Sequence, residues 1–407
     1  MKAIKSVRQS YVPDPRTFDF LETFRDMVNH CIRTGLQNNA WALKRLSKLS
    51  YRELIQYDIP SYYKLCAISK AAGILSNRRQ SIKRGINTKN PHLKKPILIS
   101  CYGFKLEGDV FKIPLGGRKY FDIPLNHHTR EVIHGNGNDA TFKINSFVLT
   151  AGAISISYSK DVPEIQCNST AGIDRNLRNV TVGDCSQVVQ YDISKAARIA
   201  ENTRSITSSF KRDDHRIRKQ LYSKYGTRRK NRINQLLHKI SQDVVYNAAQ
   251  NRHALVFEDI RHIRKMYQKG NWQGKKHRGT MNGWSFSEIK RQIEYKSKWR
   301  GIPIIQLSRQ DTRGTSRLCP RCGKRLQDKG AWNTPDHNRE LWCDTCQRWQ
   351  DRDVIAVMNQ SLRGLPRLGS SKGDAGEAMR GNVDNALPLI LRVDASKLQL
   401  IGHNPST

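Results

Sequence analysis

Four cysteines in the last third of the chain have the spacing of a metal site. Cys319 and Cys322 form one C-x-x-C pair, and Cys343 and Cys346 form a second pair after twenty intervening residues. Each pair presents two sulfurs from one turn, which suits tetrahedral coordination of zinc, and a closed shell of four thiolates leaves no position for a substrate water. The spacing therefore predicts a structural zinc site rather than disulfides, with His337 in the intervening loop as a surface histidine.

Three carboxylates that are far apart in the sequence each fall at the end of a predicted element. Asp174 ends a short apolar run, Glu258 follows the run HALVF, and Asp353 opens a helix after the second cysteine pair. Such hard oxygen ligands hold two Mg²⁺ over one phosphate in two-metal phosphodiester hydrolases. Taken singly, Asp174 could be a turn residue, Glu258 or Asp259 a solvated strand end, and Asp351 or Asp353 a helix cap. The combination favours a catalytic magnesium site.

The composition indicates a polyanionic partner. The 407 residues include 71 Lys and Arg against 35 Asp and Glu, for a formal net charge of +36. Such an excess favours nucleic acid over membrane. No window of about 18 apolar residues occurs, and MKAIKSVRQSYVPDPRTF has no apolar segment of a signal peptide. We therefore expect a cytoplasmic, nucleoid-associated protein in which the five scattered cysteines are reduced thiols.

The second half of the chain has the element order of a known architecture. STAGID, NVTVGD and SQVVQYDI predict a three-stranded meander, and HALVFED and IPIIQLS predict two buried strands. Helices are predicted before each buried strand, the second from about Trp284 to Arg300, and DVIAVMNQSL predicts a last helix. One helix has an apolar stripe of seven residues: Ile233, Leu236, Leu237, Ile240, Val244, Val245 and Ala248. This order is that of an RNase H-like fold.

The first half combines helices, a basic loop and short strands. FDFLETFRDMVNHCIRTGL predicts a helix that stops near Gly35, and helical pattern continues to about Arg79. The stretch from Arg78 to Lys95 holds seven Lys and Arg and no acid, so we interpret it as a basic loop. Short apolar runs between residues 97 and 159, together with MKAIKSV, predict a small barrel or sandwich interrupted by the helices.

Two further segments are distinguished by composition. Twelve Lys and Arg lie between Arg204 and Lys239 against Asp213 and Asp214, on predicted helices. They form either an ordinary solvated face or a surface that neutralises phosphates. Beyond Arg363 the Gly- and Ser-rich sequence predicts a mobile tail.

These motifs together resemble a known family. AGIDRNLRNVTVGD, ALVFEDI, the segment from SFSEIKRQIEYKSKWRG through GTSRLCPRCG, and CDTCQRWQDRDVIAVMN resemble the three RuvC motifs and the inserted zinc ribbon of the TnpB (OrfB) proteins of insertion sequences, which are related to type V CRISPR effectors. NHCIRTGL, NPHLKKP and DVFKIPLGG resemble segments of that family's amino-terminal half. The resemblance covers nearly the whole chain.

The resemblance implies an α+β multidomain protein. Its parts would be an amino-terminal β-barrel (wedge-like) domain at 1–12 and 96–165, a helical recognition insertion with a basic loop at 13–95, and a RuvC, RNase H-like nuclease domain at 168–310 and 350–365. A zinc ribbon would occupy 311–349, and a flexible tail 366–407.

The resemblance also implies a site and a function. Asp174, Glu258 and Asp353 match the catalytic triad that binds Mg²⁺, and the four cysteines match the zinc ligands. Asp353 is preferred to Asp351 because the family's acid stands directly before the start of the last helix. The implied protein is a transposon-encoded, RNA-guided DNA endonuclease that binds a guide RNA and a DNA target with a flanking motif, as a monomer with its RNA.

Two positions depart from the family's pattern. Asn176 stands where the family has Gly two residues after the first acid; because Asn tolerates positive φ, the turn should be preserved. Ile355 stands where the family has Asn near the last acid, which would remove a polar group beside the metals. Ile355 therefore keeps open the alternative of a catalytically weak or inactive guided DNA-binding regulator. A transposase that joins DNA strands is a second alternative, because RNase H-like folds host such chemistry.

Overall fold

The chain folds as two units, one formed by Lys2–Asp161 and the other by Met1 with Val162–Thr407. The computed structural model describes residues 1–134, 142–210, 215–260, 263, 270, 272–328, 339–368 and 387–399. None of the helices in those ranges combines the length and the apolar character that crossing a bilayer requires. His337 and the acids Asp213 and Asp214, which the sequence analysis singled out, lie outside the described residues.

The unit Lys2–Asp161 contains a group of helices between its first and second strands. Its elements are β1 (Lys2–Ser10), α1 (Pro15–Gln37), α2 (Leu43–Ser50), a short 3₁₀ helix (Glu53–Gln56), α3 (Ser61–Lys83), β2 (Ile97–Ser100), β3 (Lys105–Glu107), β4 (Val110–Gly116), β5 (Lys119–Pro124), α4 (His127–His134), β6 (Lys143–Thr150) and β7 (Ala153–Asp161). The strands form a sheet of order β1-β7-β6-β2 and a second sheet of order β3-β4-β5. Phe111 of the second sheet packs edge-on against Phe147 of the first, with ring centroids 5.5 Å apart.

Two helix ends in this unit differ from the prediction. Helix α1 continues through Gly35 to Gln37, because the glycine serves close packing rather than a stop. A Cβ added at Gly35 would lie 2.4 Å from a methyl group of Leu75 in α3, so the missing side chain lets the two helices approach. Helix α3 extends to Lys83, and the first part of the predicted basic loop is therefore helical.

The other unit contains a mixed sheet with helices on both faces. Its elements are β8 (Ser169–Arg175), β9 (Asn179–Gly183), β10 (Gln187–Asp192), α5 (Ser194–Ser208), α6 (His215–Gln250), β11 (His253–Phe257), α7 (Lys275–Asn282), α8 (Phe286–Arg300), β12 (Ile304–Gln306), β13 (Glu340–Cys343), β14 (Arg348–Asp351), α9 (Arg352–Gly364), a short 3₁₀ helix (Leu365–Arg367) and β15 (Leu389–Asp394). The six-stranded sheet has the order β12-β11-β8-β9-β10-β15. Strands β8, β9 and β10 form the predicted antiparallel meander, and β11 and β12 add in parallel. The RNase H-like order predicted from the sequence is confirmed.

Alternation along β8 and β9 assigns the two faces of this sheet. Ile173, Val180 and Val182 belong to the main apolar core, which also includes the predicted stripe of α6 and residues of α5 and α8. Because successive residues of a strand point to opposite faces, Gly172, Asp174 and Thr181 lie on the other face. Helix α9 packs on that face. The sheet therefore presents an apolar face to α5, α6 and α8 and the face that carries Asp174 to α9.

The prediction of a mobile tail from residue 366 onward is wrong for Leu389–Asp394. These residues form β15, which pairs in parallel with β10 in the register Gln187 with Leu389. The reason is local, since the Gly- and Ser-rich stretch is followed by the apolar run LPLILRVD, and Val393 packs against the main core. Residues 369–386 and 400–407 lie outside the described residues.

Candidate active site and four-cysteine ribbon

The four predicted cysteines converge on one point. Their sulfur atoms all lie within 4.8 Å of one another. The Sγ atoms of Cys319 and Cys346 are 3.8 Å apart, and those of Cys322 and Cys343 are 3.5 Å apart. A tetrahedron with Zn–S bonds of about 2.3 Å has edges of about 3.8 Å. The four thiols therefore fit a zinc ion, and the chemistry of the donor set favours a soft or borderline metal over Mg²⁺.

The local backbone favours the thiolate of Cys319, whereas burial raises the pKa of Cys343 and Cys346. Each C-x-x-C turn ends in a left-handed residue, Gly323 after the first pair and Gln347 after the second. Burial opposes ionisation of Cys319, but hydrogen bonds from the turn's backbone N–H groups and from the Gln350 side chain lower the pKa of this thiol to about 6. A thiolate is the form that binds zinc.

Ile355 lies in the core of this ribbon rather than among the acids. It is fully buried and packs with Leu326, Leu341 and the cysteines. The expectation that Ile355 removes a polar group beside the catalytic metals is therefore wrong. On helix α9 the side chains two residues apart point in different directions, so Asp353 and Ile355 do not share a face.

Sheet register brings Asp174 and Glu258 together. The parallel strands β8 and β11 pair Ile173 with Phe257, so the residue that follows on each strand is one of the two acids. Asp174 is the penultimate residue of β8 and Glu258 directly follows β11, so both lie where these parallel strands end. Because neighbouring strands of a sheet lie about 5 Å apart, the backbones of the two acids are separated by about that distance.

Helix α9 brings the third acid to the same place because β8 lacks a side chain at Gly172. A Cβ there would lie 2.2 Å from the carbonyl oxygen of Val357 and 2.8 Å from the Cβ of Gln360. The backbone N–H of Ile173 donates to Oε1 of Gln360 at 2.9 Å. This close approach places the start of α9, and with it Asp353, beside the ends of β8 and β11.

The electrostatics of the three acids agree with this arrangement. Burial, followed by the negative charges of Glu258 and Asp353, raises the pKa of Asp174 from 3.8 to about 7. Burial also raises the pKa of Glu258, against the opposing effect of the Arg175 charge. Mutual repulsion of buried carboxylates is relieved by a bound cation, so the three residues fit a metal site.

Among the residues that the structure describes, the four cysteines form the one group of three or more His, Cys, Asp or Glu side chains that could hold a metal ion as they stand. The three acids do not form such a group.

Asp351 and Asp353 have different roles in the structure. Asp351 is the N-cap of α9, and its Oδ1 accepts hydrogen bonds from the backbone N–H of Asp353 at 2.7 Å and of Val354 at 3.2 Å. Asp353 is buried, and its carboxylate accepts from Asn179 and Arg339. The capping alternative thus describes Asp351, and the preference for Asp353 as the site acid stays consistent with its position.

Asn176 contacts the site directly. It donates from Nδ2 to Oδ2 of Asp174 at 2.8 Å, which opposes the rise in the pKa of that acid. Its backbone N–H bonds the carbonyl of Asn179 and closes the turn between β8 and β9. Asn176 does not have a positive φ, so the expected reason for tolerating Asn at this position does not apply. The amide side chain itself is what Asn adds at this position.

Sequence reasoning missed three residues that hold the acids in place. Arg175 is buried and donates to the backbone carbonyls of Glu258 and Phe286, both at 3.1 Å, which ties the end of β11 to the start of α8. Asn179 and Arg339 bind Asp353. The alternation in NVTV could have placed Asn179 on the face of Asp174, whereas the two arginines are indistinguishable in sequence from the general basic excess.

The fold and site define an RNase H-like protein with a four-cysteine ribbon inserted before its last helix. The model of the Cas12f1-like, TNB domain matches residues 286–360. The TnpB-like protein MJ0751 of Methanocaldococcus jannaschii is 31% identical over 276 residues, which cover 63% of this chain and 91% of that protein. The chain therefore belongs to the TnpB-like family.

A solved structure shares the fold. The cryo-EM structure of the Cas12f1–sgRNA–target DNA complex contains a chain that matches with a TM-score of 0.53 and 12% identity, over 85% of this chain and 82% of that one.

Proposed function

We propose that this protein is an RNA-guided, Mg²⁺-dependent DNA endonuclease. The observation that carries the proposal is the convergence of Asp174, Glu258 and Asp353 at one edge of an RNase H-like sheet in a strongly basic chain. Membership of the TnpB-like family and the fold shared with Cas12f1, which was solved in complex with an sgRNA and target DNA, support the same interpretation.

The three acids would hold Mg²⁺, and the cysteines would hold Zn²⁺. Bound Mg²⁺ would lower the pKa of an attacking water and stabilise the leaving oxygen of a phosphodiester. The chain's own part is to fix carboxylate oxygens: Asn176 orients Asp174, Arg175 fixes the backbone at Glu258, and the cap at Asp351 fixes the start of α9. The zinc ribbon supports that helix from its other side through Ile355.

The helices α5 and α6 offer a surface for phosphates. Helix α6 carries many lysines and arginines, and its single acid is Asp243. A groove of about 550 Å³ between the two helices is lined by Arg228, Arg229 and Arg232 from α6 and by Asn202 and Thr203 from α5. Arginines at positions i and i+4 repel each other on an isolated helix, and a phosphate backbone relieves that repulsion. The groove therefore supports nucleic acid as the partner.

In this proposal base pairing with a guide RNA reads the DNA sequence. The protein then needs charge, shape recognition and one nuclease site, so the strands are cut in turn. The unit Lys2–Asp161 would act as a wedge-like barrel with a helical recognition insertion that holds RNA and a target-adjacent motif. The working form would be a monomer with its RNA, associated with the nucleoid.

The two alternatives have weaker support. Ile355 was the feature that favoured an inactive guided regulator, and it packs in the ribbon core instead of facing the acids. A strand-joining transposase would use the same acids. Detection of joined products with purified protein and transposon ends would favour the transposase.

The decisive experiment is cleavage of a plasmid library with a randomised flanking motif. The protein is co-expressed with the RNA from its own locus, as wild type, Asp353→Asn, Glu258→Gln and the matched control Asp259→Asn. We expect motif-dependent cutting by wild type and by the control, and none by the other two variants. Guide-dependent binding without cutting by wild type would overturn the nuclease proposal, and equal loss in the control would overturn the assignment of Glu258.

A further inference from the structure

The two oxygens of the Asp353 carboxylate have partners of opposite character. Oδ2 accepts a hydrogen bond from Nδ2 of Asn179 at 2.8 Å, and Oδ1 accepts one from Nη2 of Arg339 at 2.7 Å. The side chain of Asp353 is only 5% exposed, whereas that of Arg339 is 46% exposed. One partner is therefore neutral and embedded in the fold, and the other is a cation at the surface.

Asn179 is built into the sheet. It opens β9 and lies on the face of Thr181, which pairs directly with Asp174 across the strands. Its Oδ1 is buried, and among the described residues it has no hydrogen-bond partner. A neutral amide can keep its bond to Asp353 whether or not a cation is present, because it donates to one oxygen and adds no charge.

Arg339 belongs to the ribbon. It precedes β13, has a φ of +80°, and its carbonyl accepts a hydrogen bond from the backbone N–H of Arg352 at 3.1 Å. The backbone is therefore anchored next to α9, while the long side chain reaches the acid from solvent. Because the guanidinium is about half exposed, water can take over its hydrogen bonds when it leaves the carboxylate.

We infer that Arg339 is a placeholder cation on Asp353 that a divalent metal displaces, and that Asn179 is the positioning residue that holds the other oxygen throughout. This inference rests on the proposed function, because it requires a metal at the three acids. It gives the ribbon a second role beside support of α9: the ribbon keeps the buried carboxylate paired while the metal is absent.

The two residues should then affect metal affinity in opposite directions. Mn²⁺ binding to the zinc-loaded full-length protein is followed by electron paramagnetic resonance for wild type, Arg339→Ala, Asn179→Ala and Asp174→Ala. We expect Arg339→Ala to bind Mn²⁺ about two- to fivefold more tightly, since a competitor is removed. Asn179→Ala should bind about 10- to 100-fold more weakly, as is usual when the partner of a ligating carboxylate is lost.

A matched control separates this effect from net charge. Arg325→Ala removes another ribbon arginine at an exposed position and should leave Mn²⁺ affinity within twofold of wild type. Equal tightening in Arg325→Ala and Arg339→Ala would overturn the placeholder role, and so would weaker binding in Arg339→Ala. Unchanged affinity in Asn179→Ala, with thermal unfolding like wild type, would overturn the positioning role.

Chemical labelling provides a readout independent of affinity. Phenylglyoxal modification of Arg339, followed by mass spectrometry, should accelerate several-fold when Mg²⁺ is added to wild type and should be fast without Mg²⁺ in Asp353→Asn. If wild type binds Mn²⁺ but the rate of Arg339 modification does not change when Mg²⁺ is added, the inference about Arg339 is overturned and the proposed metal site is not. If wild type and Asp174→Ala bind Mn²⁺ equally, the metal site of the proposed function fails first, and the inference fails with it.

Discussion

Replacing the buried Asp174 by Asn should stabilise the metal-free protein at alkaline pH. The carboxyl group has a pKa of about 7 in the folded state against an ordinary value of 3.8, because of burial and the charges of Glu258 and Asp353. Asn has nearly the same shape, has no charge, and keeps an oxygen that can accept the 2.8 Å hydrogen bond from Asn176. The variant therefore removes an ionisation cost and preserves the packing.

The sign and size of this difference in the free energy of unfolding follow from proton linkage. Between pH 3.8 and about 7 the folded state binds more protons than the unfolded state, so the free energy of unfolding of wild type falls as pH rises through this window. The slope is about 1.4 kcal/mol per pH unit, and the full cost above pH 7 is about 4 kcal/mol. The stability gap between Asp174→Asn and wild type should therefore widen by about 2 kcal/mol from pH 5.5 to 8.5.

The assay is thermal unfolding of zinc-loaded protein without Mg²⁺, from pH 5.5 to 8.5. For the unit that contains the sheet, a gap that widens by 2 kcal/mol corresponds to about 4–8 °C in Tm. Adding Mg²⁺ at pH 8.5 should raise the Tm of wild type and leave that of Asp174→Asn unchanged, because bound metal stabilises only the state that binds it. Glu201→Gln, on the exposed surface of α5, controls for the loss of one negative charge.

The result that would refute this reasoning is a constant or shrinking gap. If Asp174→Asn is less stable than wild type at every pH, the carboxylate is stabilised in the fold rather than strained. The same conclusion follows if Glu201→Gln reproduces the effect, since general relief of charge would then explain it.

Three further perturbations test the packing and the basic surface. Gly172→Ala should destabilise the sheet-containing unit by about 1–3 kcal/mol in thermal unfolding, since the new Cβ meets the carbonyl of Val357, whereas Gly226→Ala in α6 has open space and should be neutral or stabilising. Ile355→Asn should release zinc faster in a chelator assay and lower stability by about 1–3 kcal/mol, because it buries an unpaired amide among apolar ribbon residues; no change would contradict its position in that core. Replacing Arg228 and Arg232 together by Gln should reduce the salt dependence of nucleic-acid binding by about 1.4 (single strand) to 1.8 (duplex) in log–log slope, and an unchanged slope would exclude the groove as a phosphate site.

Much of the fold could be predicted because local patterns carry it. The apolar stripe of α6 has a period that a single helix imposes, and the runs around Asp174 and before Glu258 alternate or stay apolar as strands require. The cysteine spacing is equally local. Element order then sufficed for the architecture of the sheet, since connections between such elements have few allowed arrangements.

The errors arose where a residue's effect depends on a distant neighbour. The residue type of Gly35 predicts the end of a helix, but the structure needs glycine there because Leu75 of another helix packs against it. The strand Leu389–Asp394 was hidden by the Gly- and Ser-rich segment before it, and its partner strand lies about two hundred residues earlier in the sequence. The local sequence around Gly35 or around Leu389–Asp394 does not indicate which distant residues each one contacts.

The position of helix α9 explains why the four-cysteine ribbon lies so close to Asp351 and Asp353. Its cap, Asp351, ends the second ribbon strand and accepts the first backbone N–H groups of the helix. Ile355 packs into the ribbon core, and Gln360 bonds the backbone of β8 beside Gly172. A rigid helix fixed at these points leaves Asp353 little freedom in the first turn. Loss of the ribbon would therefore remove one of the two supports of the acid, even though no cysteine belongs to the proposed magnesium site.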